Sequence, residues 1–175
     1  SVSLSGDTVV VGAEYENENG EESGSAYIFV KNKGIWEERQ KIFPSSAEAG
    51  DHFGHSTSIN GDTLLIGAPS DSDLGENAGA AYVFERVGDT WEEQQQLTAA
   101  DGATYNFFGD SVFLSGDTAI IGAIRNNYYG ELTGSVYVFV RSKDLFEEQH
   151  VIYPSDWEHT SSFGYSIALD GDNIV

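Results

Sequence analysis

The sequence repeats itself with a period of about 55 residues, and this repeat restricts the possible folds more than any other feature. A shift of one period superimposes a short turn, an aromatic-glycine pair and many single positions. Chance does not produce such an alignment, so the chain divides into repeats 1–55, 56–110 and 111–165 and a truncated copy, 166–175. The aligned turns and pairs are Gly6-Asp7, Gly61-Asp62, Gly116-Asp117 and Gly171-Asp172, with Phe53-Gly54, Phe108-Gly109 and Phe163-Gly164.

Each repeat is predicted to form four antiparallel strands with almost no helix. In the middle copy these are 56–59, 63–68, 80–86 and 91–97, bounded by glycine-containing turns such as Asn60-Gly61. The run Leu64-Leu65-Ile66 in the second strand is continuously apolar, which is typical of a strand covered on both faces.

The third and fourth strands of the repeat differ in character. Side chains alternate along a strand, so Tyr82 and Phe84 share one face of the third strand and Val83 occupies the other. The fourth strand is mostly Glu and Gln after Trp91, which favours an exposed outer edge that discourages pairing with other chains.

Small sheets covered on both faces by equal neighbours predict an all-β β-propeller, in which each repeat is one blade. We expect 1–175 to be part of one propeller domain: three blades and the start of a fourth. Both ends of the sequence cut through a blade, so we expect further blades of the same chain, or associated chains, to cover them. The aromatic residues expected to be buried between blades are Tyr27, Phe29, Tyr82, Phe84, Tyr137 and Phe139.

Composition excludes several classes of partner and site. The formal charge is −21, from 29 acidic and 8 basic residues, which argues against nucleic acid and anionic membrane surfaces as partners. There is no apolar stretch of membrane-spanning length, so no membrane insertion is expected in this segment. The absence of cysteine excludes disulfides, zinc-thiolate sites and a cysteine nucleophile.

No pattern in the sequence indicates catalysis. His52 and His159 occupy corresponding loops beside Asp51 and Glu158, which is only a weak indication of an acid/base or metal site. No serine lies in a nucleophile-elbow pattern, and no carboxylate pair recurs at a fixed catalytic separation. We therefore expect the protein not to be an enzyme.

Three short motifs resemble the FG-GAP repeats of integrin α-subunit propellers. They are the Phe53-Gly54 pair, the run 66–69 (Ile-Gly-Ala-Pro) and the run 79–84 (Gly-Ala-Ala-Tyr-Val-Phe). Glu14 and Ile124 replace the proline of the second motif in the other copies. The resemblance implies about seven blades, an extracellular or cell-surface location, and adhesion or ligand binding.

The calcium-binding loop of that family, which lies between the first two strands, is missing from this sequence. A two-residue Gly-Asp turn replaces it, and calcium needs six to eight oxygens from a loop long enough to wrap the ion. Asp7, Asp62, Asp117 and Asp172 are interpreted as turn formers, so no cofactor is expected. If calcium is bound at all, we expect it in a long loop such as 71–76.

The ligand-binding face is predicted from loop length and variability. The loops joining strands two and three and those joining successive blades are long, vary between copies, and open on the same face. A protein or carbohydrate ligand is expected there. The candidate residues are Tyr15, Asp71, Asp73, Glu76, Tyr105, Tyr128, Tyr129 and Trp157.

The sequence thus favours a non-catalytic extracellular or cell-surface binding or adhesion module whose ligand is open. A structural building block of a surface appendage or large extracellular assembly is one alternative. A second is the propeller part of a secreted glycan-active enzyme.

Overall fold

A computed structural model describes residues 1–126, 133–155, 161–171 and 173–175. Their regular structure is entirely β, and among them no helix is long and apolar enough to cross a bilayer. Three sheets of four strands and one two-stranded sheet follow each other along the chain. Sheet 1 contains β1 (Val2–Ser5), β2 (Thr8–Ala13), β3 (Ser25–Asn32) and β4 (Ile35–Ile42). Sheet 2 contains β5 (Ser56–Asn60), β6 (Thr63–Ala68), β7 (Ala80–Val87) and β8 (Thr90–Leu97). Sheet 3 contains β9 (Phe108–Ser115), β10 (Thr118–Ala123), β11 (Ser135–Ser142) and β12 (Leu145–Ile152), and the last pair is β13 (Leu169–Asp170) and β14 (Asn173–Ile174).

The prediction of four antiparallel strands in each complete repeat is confirmed. Each sheet is an up-and-down meander in which every strand pairs with the next along the chain. The predicted bounds in the middle repeat differ from the observed ones by one residue at most. The hairpin loop after β5 consists of Gly61 and Asp62 rather than Asn60 and Gly61, because Asn60 still pairs with Thr63. Gly61 supplies the positive φ (59°) that so tight a turn requires.

Sheet 2 is covered on both faces, as predicted. Leu64 and Ile66 of β6 pack into one cluster with Val10 and Ile28 of sheet 1. Leu65, between them in sequence, packs into a second cluster with residues of sheet 3. Successive side chains of one central strand therefore belong to different hydrophobic cores, which we name junction 1–2 (between sheets 1 and 2) and junction 2–3 (between sheets 2 and 3).

The predicted burial of the repeated aromatic residues holds in sheets 2 and 3. Tyr82, Phe84, Tyr137 and Phe139 are buried in the two junctions. Tyr27 and Phe29 in sheet 1 are only half-buried. They occupy the face of sheet 1 that points away from sheet 2, and no sheet of the described residues lies against that face.

The phenylalanines of the first two Phe-Gly pairs lie at the junctions: Phe53 at junction 1–2 and Phe108 at junction 2–3. The Phe53 ring makes edge contacts with Tyr82 and Phe84, at centroid separations of 5.7 and 6.0 Å. Its backbone also forms a parallel bridge with Gly24, which immediately precedes β3 of sheet 1. Phe108 repeats the same contacts with Tyr137 and Phe139, so the first two Phe-Gly pairs each link one sheet to the next.

The fourth strand is not simply a solvent-facing rim. The Gln95 side chain bridges junction 2–3: its amide donates to the Phe146 carbonyl (2.9 Å) and its carbonyl accepts from the Phe146 N–H (2.8 Å). Gln40 makes the equivalent pair of bonds to Trp91 across junction 1–2. Polar residues in β4 and β8 thus pair with the backbone of the neighbouring sheet, which the outer-edge interpretation missed.

Gly67 in β6 shows how closely the sheets approach. Its backbone lies outside the left-handed region, yet a Cβ built there would stand 1.9 Å from the Gly109 carbonyl oxygen. A Cβ built at Gly12 would stand 1.9 Å from the carbonyl oxygen of Gly54, and one built at Gly122 would stand 2.2 Å from that of Gly164. Glycine is required at this repeat position because the next Phe-Gly segment lies directly against it.

We expect Gly67→Ala to destabilise the protein by at least about 3 kcal/mol, because the added methyl group forces two backbone segments apart. Gly88→Ala is the control: Gly88 has a positive φ (63°) but no atom within 4 Å of its built Cβ. That substitution is expected to cost only about 1 kcal/mol of backbone strain. Urea denaturation followed by fluorescence measures both, and an equal cost for the two variants contradicts the steric explanation.

Candidate functional site

A cavity of about 250 Å³ opens on the face predicted to bind ligands, where residues of all three sheets meet. Its lining comes from the segments that follow β2, β6 and β10 and from the segments that connect successive sheets. We name it the three-sheet pocket. It is lined by Glu14, Tyr15, His52, His55, Pro69, Ser70, Phe107, Asp110, Ile124 and Arg125.

The repeat explains why these residues meet. Four positions of the 55-residue period supply the whole lining: the two residues after the second strand, and the residues that immediately precede and follow the Phe-Gly pair. Each position carries different chemistry in successive copies. Glu14, Pro69 and Ile124 are equivalent, and so are Tyr15, Ser70 and Arg125. The backbone is repeated, and the side chains that it presents to the pocket are not.

His55 forms the centre of a chain of ionisable groups across the three sheets. Its Nδ1 atom makes a short contact with the Glu14 carboxylate of sheet 1. Its Nε2 atom lies 3.6 Å from Oδ1 of Asp110, just inside sheet 3. Burial raises the pKa of the Asp110 carboxyl and Glu14 raises it further, whereas the charges of His55 and Arg125 act in the opposite direction.

Arg125 lines the pocket, and its guanidinium N–H groups donate no hydrogen bond to the described residues. Its guanidinium carbon lies 5.1 Å from the centre of the Phe107 ring, a cation–π arrangement. The residue is exposed, and within the described parts of the chain its side chain donates no hydrogen bond. Phe107 has a left-handed backbone (φ 54°), as does its counterpart His52 (φ 58°). This unusual conformation recurs on the pocket wall just before each Phe-Gly pair.

Tyr15 contributes a second aromatic ring to the pocket lining. Its ring meets the His52 ring in an edge arrangement with centroids 5.5 Å apart. The His52 Nε2 atom lies 3.4 Å from the Glu22 carboxylate, which restrains the imidazole. Tyr15 remains 63% exposed, so its ring keeps free surface for a ligand.

The profile of the FG-GAP repeat matches residues 1–29, 36–84 and 91–139, well over half of the chain. This chain belongs to the FG-GAP repeat family. A search of curated proteins found no match. In the FG-GAP frame, the pocket residues flank the family's two landmarks, the Phe-Gly pair and the Gly-Ala-Pro position, at which Glu14 and Ile124 depart from proline.

The residues predicted from the sequence to contact a ligand do not form one site in the structure. Tyr15 lines the pocket. Asp71 is only 3% exposed and accepts a hydrogen bond from the Tyr82 hydroxyl (2.6 Å). Asp73 accepts one from Gln96 (3.1 Å). Glu76 and Tyr105 hydrogen-bond to each other and are not part of the pocket lining. The last three candidates lie outside the described residues: Tyr128, Tyr129 and Trp157.

Sequence reasoning missed Glu14, His55, Asp110 and Arg125 as members of one site. Glu14 was noted only as a replacement for proline, and the sequence did not single out His55, Asp110 or Arg125. The signal that could have found them is the repeat itself. Some positions beside the repeated FG-GAP motifs change charge from copy to copy. Such positions are expected to determine which ligand is recognised.

The Gly-Asp turns among the described residues hold no cluster of carboxylates, whereas calcium needs six to eight oxygens. Each turn offers one carboxylate, and the carboxylate of Asp62 lies 3.1 Å from Nε of Arg86. The carboxylate of Asp117 faces Arg141 in the same way, at 3.7 Å. Within the described ranges, no three His, Asp or Glu side chains are grouped as a metal ion would require. Asp172 lies outside those ranges.

Two buried carboxylates lie beneath the loops at junction 1–2. Asp71 accepts the Tyr82 hydroxyl, and Asp51 accepts the Glu48 N–H at 2.7 Å. Burial raises the pKa of Asp51 to about 6, and it also raises the pKa of Asp71. At junction 2–3 the equivalent positions are the amides Asn106 and Asn126, and there the Tyr137 hydroxyl accepts from Asn126 (2.6 Å) and donates to the Asp101 carboxylate (2.6 Å).

We expect Asp51→Asn to stabilise the protein by about 1–3 kcal/mol at pH 7–8, because the neutral amide still accepts the Glu48 N–H without a buried charge. The raised pKa means that the folded state holds the proton more tightly. The stability contributed by the protonated Asp51 is complete below about pH 4 and is lost as the pH rises through about 6. The gain from the variant should therefore shrink towards pH 4 in urea titrations.

The matched control for this prediction is Asn106→Asp, which places a carboxyl at the same repeat position of junction 2–3. Asn106 is buried, so the new carboxylate should destabilise the protein at pH 8 and do so less at pH 4. Stabilisation by Asn106→Asp, or destabilisation by Asp51→Asn at pH 8, would show that burial does not control these two sites.

Proposed function

We propose that this FG-GAP repeat protein is a non-catalytic extracellular or cell-surface binding module that holds its ligand at the three-sheet pocket and the loops around it. The observation that carries the proposal is the convergence of four variable repeat positions on one cavity. Variable side chains on a repeated backbone are how a rigid scaffold acquires specificity. FG-GAP repeats are generally extracellular binding or adhesion modules, which supports this assignment.

The chemistry of the pocket favours binding over catalysis. The Glu14 carboxylate contacts His55, and Arg125 is stacked on Phe107, so most ionisable groups are held by neighbours. The residues come from three different sheets, which gives the site a fixed geometry set by junctions 1–2 and 2–3. A preorganised cavity of this type binds a ligand with little loss of side-chain freedom.

We propose further that the three sheets are blades of a propeller of about seven, with the pocket at the mouth of its axis. The innermost strands of the meanders, β1, β5 and β9, lie beside one another, as blades around an axis require. The half-buried Tyr27 and Phe29 mark a face suited to a further blade. Further blades of this chain or of associated chains would cover it.

A second candidate function, a structural building block of an extracellular assembly, is favoured by that same apolar face. Association through the outer face of sheet 1 would join one molecule to the next and leave the pocket with no role. The two functions differ in which surface must be intact, so substitutions on the pocket distinguish them.

We expect the intact protein to bind one or more members of an immobilised panel of extracellular polysaccharides and matrix proteins, and Arg125→Ala to weaken that binding about tenfold or more. Lys143→Ala is the control, because Lys143 is an exposed cation on the turn between β11 and β12, at the opposite end of the strands. Biolayer interferometry at two salt concentrations provides the measurement. Equal loss in both variants, or no binding by the parent protein, would contradict the proposal.

A further inference from the structure

The balance of charges at the three-sheet pocket restricts the class of ligand. The pocket carries two carboxylates, from Glu14 and Asp110, beside the guanidinium of Arg125 and the imidazoles of His52 and His55. An anionic ligand would meet both carboxylates and a chain of formal charge −21. A cationic ligand would meet the guanidinium of Arg125 at the pocket and would compete with His55 for Glu14. A neutral ligand avoids both conflicts.

Among the described residues, the pocket keeps both a hydrogen-bond acceptor and hydrogen-bond donors that are unused. The Asp110 side chain is only 10% exposed, and its carboxylate accepts no hydrogen bond from the described residues; its closest ionisable partner is His55 at 3.6 Å. Arg125 offers guanidinium N–H groups that are likewise unused within those residues. A buried acceptor without a donor is costly to leave unpaired, so a ligand that donates to Asp110 gains the most. A hydroxyl group donates and accepts at once, and therefore suits both residues.

The apolar part of the pocket suits a small ring. Tyr15 and Phe107 contribute two aromatic rings to the lining, and Ile124 and Pro69 contribute further apolar surface. Aromatic rings with exposed surface pack against the C–H face of another ring. The cavity of about 250 Å³ is smaller than the sites that hold drug-sized molecules, which begin at roughly 300 Å³. It therefore accommodates one ring rather than an extended chain of them.

From these three observations we propose that the three-sheet pocket binds a single neutral sugar ring, the end unit of a glycan. The ring stacks on Tyr15, one hydroxyl donates to the Asp110 carboxylate, and another accepts from the Arg125 guanidinium. No bond of the sugar is broken. The inference rests on the proposed binding function and adds to it the class of ligand and its three contact residues, which come from sheet 1 and sheet 3.

The probes for this inference are the methyl glycosides of glucose, galactose, mannose and N-acetylglucosamine, with methyl glucuronide as an anionic and methyl glucosaminide as a cationic comparison. Saturation-transfer NMR and titration calorimetry on the intact protein should detect at least one neutral glycoside with a Kd on the order of 1 mM. We expect that glycoside to bind about tenfold more tightly than either charged one. No binding of any neutral glycoside, or tighter binding of a charged one, would overturn the inference.

Paired variants test the contact residues. Tyr15→Ala and Asp110→Asn should each weaken binding of the neutral glycoside about tenfold. Tyr105→Ala is the control, because Tyr105 is also an exposed loop tyrosine (43%) but lies outside the pocket lining. Circular dichroism and urea denaturation show whether each variant remains folded. Equal losses in Tyr15→Ala and Tyr105→Ala would overturn the assignment of the site.

The same measurements separate this inference from the proposed function. Binding of an immobilised partner that depends on Arg125 but is not competed by any neutral glycoside would refute the sugar class and leave the binding module intact. Release of methanol from a methyl glycoside, visible in the same NMR spectra, would refute the non-catalytic part of the proposal. Reversible binding of a neutral glycoside without release of methanol supports both the non-catalytic binding function and the sugar-binding inference.

Discussion

The close approach of two backbone segments at each junction is the constraint on which the other contacts depend. The carbonyl oxygen of one Phe-Gly pair lies where the Cβ of the glycine in the preceding sheet would be, as Gly67 and Gly109 show. The Ser56 hydroxyl donates to that same carbonyl at 2.8 Å. Once the backbones meet at this distance, the aromatic side chains on either side have only one depth at which they interdigitate. The positions of the pocket walls follow, because the pocket residues flank these same segments.

Most of the fold could be predicted because its determinants are local and repeated. Strand positions follow from short apolar runs between glycine turns, and the burial of Leu64, Leu65 and Ile66 on two faces follows from the alternation of side chains. The roles of Gln95 and Gln40 could not be predicted in the same way. Their polarity indicated solvent, and only the position of the neighbouring sheet shows that they bond to its backbone.

The candidate site was predicted as a face but not as a set of residues. Loop length and variability point to the face on which the pocket opens, and Tyr15 lines that pocket. They do not reveal that Asp71, one of the predicted candidates, is buried against Tyr82. Nor do they reveal that Glu14, His55 and Asp110 meet, because these residues lie in or beside strands of three different sheets. Convergence across repeats depends on the angle between sheets, which the packing of entire junctions determines.

The hydrogen bonds that cross the junctions bear on how the number of repeats can change in evolution. They join residues 51 positions apart, as in Gln40 to Trp91, and up to 78 apart, as in Arg86 to Thr8. Each bond therefore reaches a neighbouring sheet and none beyond it. Unequal recombination that adds or removes one full period would leave each sheet beside a neighbour with the same backbone, although some bonding side chains differ, as His150 does at the position of Gln40 and Gln95. Lineages of this architecture can thus alter their length in whole units while the pocket residues diverge by point substitution.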